Sequence, residues 1–212
     1  MPFRLFKRSA TTPEFVTIVS GLPRSGTSMM MRMLEAGGLP VMTDRVRVPD
    51  ESNPKGYYEF ERVKQLKDGN TGWIAESKGK VVKIISALLE YLPPEHQYRI
   101  VFMQRNMGEI LASQREMLLR RGEPPDRLGD RYLAGLYQNH LTRIAEWLAE
   151  QPDVKVIYLH YNQIMENPRA PIARLRQFLQ PFALDPDRMM SVVEASLYRQ
   201  RTVPEREQVH QT

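Results

Sequence analysis

FVTIVSGLPRSGTSMMMRMLEAGG (residues 15–38) joins a β-rich apolar run to a helical pattern through a loop containing two glycines. The run FVTIVS (15–20) has the aromatic and β-branched content of a strand. Beyond Gly26, the residues Met29, Met30, Met33 and Leu34 recur at the spacing of one helix face, and Gly37 and Gly38 stop that helix. Such a strand–loop–helix unit gathers unpaired backbone N–H groups at a helix start, where the dipole also favours negative charge. GLPRSGTS (21–28) therefore reads as an anion-binding loop. A loop built for ATP needs a lysine against the terminal phosphates and a following hydroxyl on Mg²⁺. Here Thr27 stands at the lysine place, and Arg24 brings its charge from mid-loop. Nucleoside triphosphate hydrolysis is disfavoured.

Outward from this unit the alternation continues. Residues 43–58 (TDRVRVPDESNPKGYY) are rich in proline, glycine and charge and read as a loop; EFERVKQLKD (59–68) reads as a short amphipathic helix. KVVKII (80–85) and RIVFMQ (99–104) are strand-like, and SALLEYLPPEHQ between them gives a brief helix ended by two prolines. A helix is expected over 107–121. A longer one over 130–150 carries Tyr132, Leu133, Leu136, Tyr137, Leu141, Ile144 and Leu148 on or near one side. KVIYLHY (155–161) is the last strand, and helices over 168–179 and 188–195 finish the core. This order predicts a three-layer α/β/α fold with a mostly parallel central sheet, P-loop-NTPase-like. Ligands of such folds bind at the carboxyl ends of the strands, where Gly21, Arg105 and Tyr161 fall.

A chain of 212 residues supports one substantial core, read as a single domain over 15–201 between an N-terminal arm (1–14) and a polar tail (202–212). Hydrophobic residues at 42% and charged residues at 26% place it among soluble globular proteins. The surplus of 30 basic over 25 acidic residues suits an anionic ligand without calling for nucleic acid or a membrane surface. With no cysteine, disulfides and thiolate chemistry are excluded, and His96, His140, His160 and His210 lack metal-ligand spacing. No apolar run approaches the roughly 20 residues that span a bilayer. The start, MPFRLFKRSATTPEF, lacks the continuous apolar stretch of a secretory signal, so a cytoplasmic protein without stable membrane insertion is expected.

A second constellation lies in FMQRNMGEILASQ (102–114), where Arg105 ends a strand and Ser113 follows eight residues later on the next helix. On its own that spacing is common; its order after the first loop gives it meaning. GLPRSGTS resembles the 5′-phosphosulfate loop of the sulfotransferases, in the branch with arginine replacing the loop lysine, and RNMGEILAS resembles their 3′-phosphate motif. KVVKIISALLEYLPPEHQYRIVFMQRN parallels the segment leading into that motif, and YLHYNQIMENP (158–168) is similar to the family's late strand. The resemblance runs in order through most of residues 15–180. It implies the donor 3′-phosphoadenosine 5′-phosphosulfate, the product adenosine 3′,5′-bisphosphate, and no metal.

By the same resemblance, Arg24 would stabilise charge on the leaving phosphate and the transferring group. Pro23, Ser25, Gly26, Thr27 and Ser28 would form the cradle of the 5′-phosphate, and Arg105 and Ser113 would hold the 3′-phosphate. Small-molecule members place a histidine after the strand preceding that motif; KIIS stands there instead, with Ile85 near the place. Other branches use a glutamate, which serves as base when burial raises its pKa. Candidates are Asp50, Glu51, Glu59 and Glu61; Glu59 is favoured because it would begin a helix after a Gly-aromatic turn. His160 is a lesser candidate, expected to pack beside Tyr161. Lys83 would face the site, and Arg199 and Arg201 would close over the 3′-phosphate.

The acceptor is expected to be a small molecule, carbohydrate or peptide with a hydroxyl or amine. Arg45, Arg47, Lys55, Arg120, Arg121 and Arg127 would attract an acidic one. Two other readings stand beside an active sulfotransferase: an inactive relative that still binds a bisphosphate nucleotide, and a P-loop kinase.

Overall fold

The computed structural model describes residues 13–44, 58–123 and 129–193. Most of the expected 1–14 arm and the whole 202–212 tail lie outside them. Five parallel strands form one sheet: β1 (Phe15–Gly21), β2 (Val41–Met42), β3 (Val81–Lys83), β4 (Gln97–Gln104) and β5 (Val154–His160). Their spatial order is β2-β3-β1-β4-β5, which puts β1 in the middle. All seven residues of β1 are buried, as a strand covered on both faces requires. Its partners are in register from Phe15 opposite Gln97 to Gly21 opposite Met103 on one side, and from Thr17 opposite Val81 to Val19 opposite Lys83 on the other.

Helix α1 (Thr27–Ala36) follows the loop and lies on one face of the sheet with α5 (Arg169–Phe178) and α6 (Pro186–Ser191). Its Met30, Met31, Met33 and Leu34 are fully buried, so the methionines are core, each contributing about 1.5–3 kcal/mol by removal from water. The opposite face is covered by three 3₁₀ helices, Glu61–Asp68, Ala75–Ser77 and Ser86–Tyr91, and by α3 (Asp130–Glu150). Helix α2 (Met107–Arg120) climbs from the tip of β4, and α4 (Tyr161–Glu166) begins directly at the tip of β5.

Several boundaries differ from the sequence expectation, each for a physical reason. ERVKQLKD (61–68) and SALLEY (86–91) wind as 3₁₀ helix, and Glu59 and Phe60 stay outside the first of them. The strand expected over 80–85 is shorter, although the Ile84 N–H still donates to the Val19 carbonyl at 3.0 Å. The last helix starts at Pro186 because Asp185 caps it, its Oδ1 accepting from the N–H groups of Asp187 and Arg188. Strand β2 is too short to read from sequence, and Tyr161 begins a helix instead of ending a strand. On α3 only Ile144 and Leu148 are buried, while Tyr132 and Leu136 are 58% and 45% exposed. That helix ends four residues before β5 begins and runs back along the sheet, so its first half projects toward the carboxyl edge of the strands.

Candidate active site at the strand tips

The loop between β1 and α1 takes its shape from three residues with left-handed backbone. Gly21 has φ 145°, and a Cβ there would lie 2.6 Å from both the Met103 carbonyl oxygen and Ser25 Oγ. Gly26 has φ 99°, and a Cβ would lie 2.5 Å from Cδ2 of Tyr161. Only glycine fits either place. Between them Arg24 holds φ 70°, a conformation a side chain seldom adopts without a functional reason. The Ser25 N–H donates to the Leu22 carbonyl at 3.2 Å and the Met30 N–H to the Gly26 carbonyl at 3.1 Å, closing the turn onto the helix. Gly26 is the N-cap and brings no side-chain cap to the first turn of α1. Ser25 Oγ is buried without a hydrogen-bond partner among the described residues. Pro23 is exposed, and Thr27 and Ser28 are half-buried at the loop's helical end. Uncapped N–H groups, a positive helix end and a buried hydroxyl make a fitting seat for a tetrahedral oxyanion.

The second expected station touches the first. Nε of Arg24 donates to Ser113 Oγ at 2.9 Å, and Nη1 of Arg105 donates to the backbone carbonyl of Arg24 at 3.2 Å. Ser113 is 6% exposed, on the second turn of α2. A hydroxyl that accepts from one arginine keeps its own proton for another acceptor. Arg105 is fixed from three sides. Its Nε donates to Glu109 Oε2 at 2.8 Å, its guanidinium carbon lies 4.4 Å from the ring centre of Tyr161, and Nη1 holds the loop. Glu109 in turn accepts from Asn162 Nδ2 at 3.1 Å through its other oxygen. Asn106 caps α2 by accepting from the Glu109 N–H at 3.3 Å, which fixes where that carboxylate starts from.

Sequence reasoning named Arg24, Arg105 and Ser113, which the structure brings together, and did not name Glu109 or Asn162, which lie against Arg105 and Glu109. Glu109 stands at i+4 from Arg105, an ordinary helical pair distance, and that was its available signal. Asn162 had none, because a short helix there was not expected. The structure brings Arg24 to Ser113, whereas the sequence assigned them to separate anions.

Glu59 does not begin a helix; the 3₁₀ helix begins at Glu61, with Phe60 as its cap. Glu59 is half-buried, and its carbonyl accepts from Thr43 Oγ1 at 2.8 Å and from the Asp44 N–H at 3.3 Å, tying it to the exit of β2. Asp44 Oδ2 accepts from the Glu61 N–H at 2.6 Å. The carboxylate of Glu61 is taken by Lys64 at 2.8 Å. His160 is exposed while Tyr161 is buried. Lys83 is half-buried at the tip of β3, and Arg120 pairs with Glu116. Asp50, Glu51, Arg45, Arg47, Lys55, Arg127, Arg199 and Arg201 lie outside the described residues.

One further hydrogen-bonded pair, a serine and a histidine, sits near the tip of β3. Ser86 Oγ and His140 Nε2 are 2.9 Å apart, and the exposed Ile85 precedes that serine. Burial first, then the charge of Arg143, pushes the His140 pKa below its ordinary value, partly opposed by Glu90. Among the described residues no group of three histidines or carboxylates is arranged to hold a metal ion, and no helix is long and apolar enough to cross a membrane.

Against known proteins, a family model described as "Sulfotransferase domain" matches residues 16–201. No curated protein is significantly similar. Among solved structures the chain is similar to a sulfotransferase from Mycobacterium tuberculosis, with 14% identity over 84% of this chain and 71% of that one, at a TM-score of 0.54. It is also matched to a sulfotransferase domain from the curacin biosynthetic pathway, 14% identical over 87% and 89% of the two chains, with a TM-score of 0.48. A third match is the sulfotransferase domain of the Synechococcus PCC 7002 olefin synthase, 15% identical over 95% and 93%, at 0.47. Identities this low speak to the fold alone, and the last two scores are too low to add to it.

Proposed function

Since the chain belongs to the sulfotransferase domain family, matched over residues 16–201, it is a sulfuryl-transferring enzyme, and we propose that its two joined anion stations seat the two ends of 3′-phosphoadenosine 5′-phosphosulfate. The family's donor supplies a sulfuryl group on a good leaving phosphate. What remains for the chain is to align and to neutralise charge. The kinase and inactive-relative readings gain nothing from the family match.

In this reading the N–H groups from Gly26 to Ser28, with the Ser25 hydroxyl, hold the 5′-phosphate, and the Arg24 guanidinium neutralises charge that grows on the bridging oxygen as the bond to sulfur breaks. Arg105 and Ser113 hold the 3′-phosphate. The observation that carries the reading is the contact between the stations, 2.9 Å from Arg24 to Ser113 and 3.2 Å from Arg105 to the Arg24 carbonyl. Two anion seats that share an arginine suit one ligand with two anionic ends better than two separate ligands. Glu59, half-buried beside the exit of β2, is the proposed acceptor of the proton from the attacking hydroxyl or amine.

Thermal unfolding with nucleotides tests the first part. Adenosine 3′,5′-bisphosphate at one hundred times its dissociation constant should stabilise the protein by about 2.7 kcal/mol. Equal concentrations of 5′-AMP or ATP should stabilise it less. Arg105→Ala should abolish that preference, and a preference that survives the substitution rejects the assignment. For the second part, Glu59→Gln should lower kcat by about 10²–10⁴ while leaving bisphosphate affinity intact. An undiminished kcat would remove Glu59 from the mechanism.

A further inference from the structure

Arg105 is held in a way that stability does not explain. Its pairing with Glu109 is buried, with side-chain exposures of 9% and 1%. Removing two charges from water is costly, and the attraction between them repays that cost only when the geometry is excellent. A carboxylate beside an anion-binding arginine also weakens its positive field, so Glu109 is costly for charge attraction too. What it supplies is direction. An arginine side chain carries much rotamer freedom, and its planar fork of donors recognises an oxyanion only at a defined angle. Glu109 fixes the fork at Nε, the Arg24 carbonyl fixes it at Nη1, and the Tyr161 ring lies against its plane. Asn162 then fixes Glu109, and it neighbours Tyr161 at the tip of β5. The same Tyr161 ring abuts Gly26, so one side chain is packed beneath both stations.

We propose that Glu109, braced by Asn162, is a positioning residue that gives the site its preference for a 3′-phosphorylated nucleotide, by presetting the Arg105 guanidinium on the Tyr161 ring. This rests on the donor reading above, and it adds the source of the selectivity. Charge and direction make opposite predictions at this residue. If charge dominated, removing the carboxylate would strengthen binding of every anion, the 3′-phosphate most of all. If direction dominates, the general attraction is kept or rises while the 3′-phosphate advantage falls.

Calorimetric titration of the whole chain with adenosine 3′,5′-bisphosphate and with 5′-AMP separates these outcomes without any turnover. In Glu109→Gln the ratio of the two affinities should fall about tenfold, with 5′-AMP binding unchanged or tighter. Asn162→Ala leaves the ion pair and removes its brace, so it should lower the ratio by a smaller factor, about threefold. It serves as the readout if Glu109→Gln does not fold. A ratio unchanged in the folded variants, because both affinities fall in parallel or neither moves, makes the bracket merely structural and overturns the proposal. A ratio that rises overturns it in favour of charge. If the unaltered protein shows no preference for the bisphosphate, the donor reading itself has failed.

Discussion

Gly26 meets two requirements at once: its backbone sits at φ 99°, and its missing side chain leaves room for the Tyr161 ring. A methyl group there would both strain the backbone and push into the ring at 2.5 Å, a contact that real Cβ atoms avoid. Because that ring also backs Arg105, the disturbance reaches the second station. Gly26→Ala is therefore expected to cost about 1–3 kcal/mol of stability. It should also weaken adenosine 3′,5′-bisphosphate more than the stability loss alone requires, as chemical denaturation and calorimetry on the same sample would show. Gly38 is the control: it too has positive φ, at 100°, but a Cβ there meets nothing within 4 Å. Gly38→Ala should cost stability through backbone strain and leave nucleotide binding alone.

At the scale of elements, α3 and the 3₁₀ helix Ser86–Tyr91 meet through the pair of Ser86 and His140. Nearby, Arg143 of α3 donates to Glu90 Oε2 of the 3₁₀ helix at 3.2 Å. At the other end of α3, Asp130 pairs with Arg115 of α2. Burial and Arg143 hold the folded-state pKa of His140 below 6.5, so in mildly acidic solution the unfolded chain takes up the proton more readily than the folded one. Stability from this residue is full above the ordinary histidine pKa and is lost as pH falls through that value toward the lowered one. His140→Gln keeps a hydrogen-bonding group for Ser86 and removes the titration. Its stability should fall less between neutral and mildly acidic pH than that of the parent, as urea unfolding at a series of pH values would measure. Equal slopes in the two proteins would mean that His140 binds its proton equally well in the folded and unfolded states.

For the molecule as a whole, periodicity read the sheet well wherever a strand was long. β1, β4 and β5 are continuous apolar or alternating runs, and the loop after β1 announced itself by glycine, arginine and hydroxyl residues in a row. Strand β2 has two residues, too few for any pattern. The apolar residues of α3 show that periodicity reports a helix face and not what lies beneath it: among the described residues Tyr132 and Leu136 stay exposed. At the site, residues that carry positive charge were legible, since charge beside a phosphate-type loop has few other meanings. The groups that aim those charges, Glu109, Asn162 and Tyr161, are defined by proximity across three elements, which no linear spacing encodes.

The central strand has both its edges paired and every residue buried. Thermal fluctuation frees the margins of such a sheet before its middle, and backbone amides there trade their protons with solvent last. The loop that follows this strand should keep its shape through partial openings that already loosen β2, whereas a loosened β5 would take Tyr161 from beneath Gly26 and Arg105. The proposed 5′-phosphate loop thus hangs from the slowest-opening strand of the sheet, while the second station also leans on the sheet's margin.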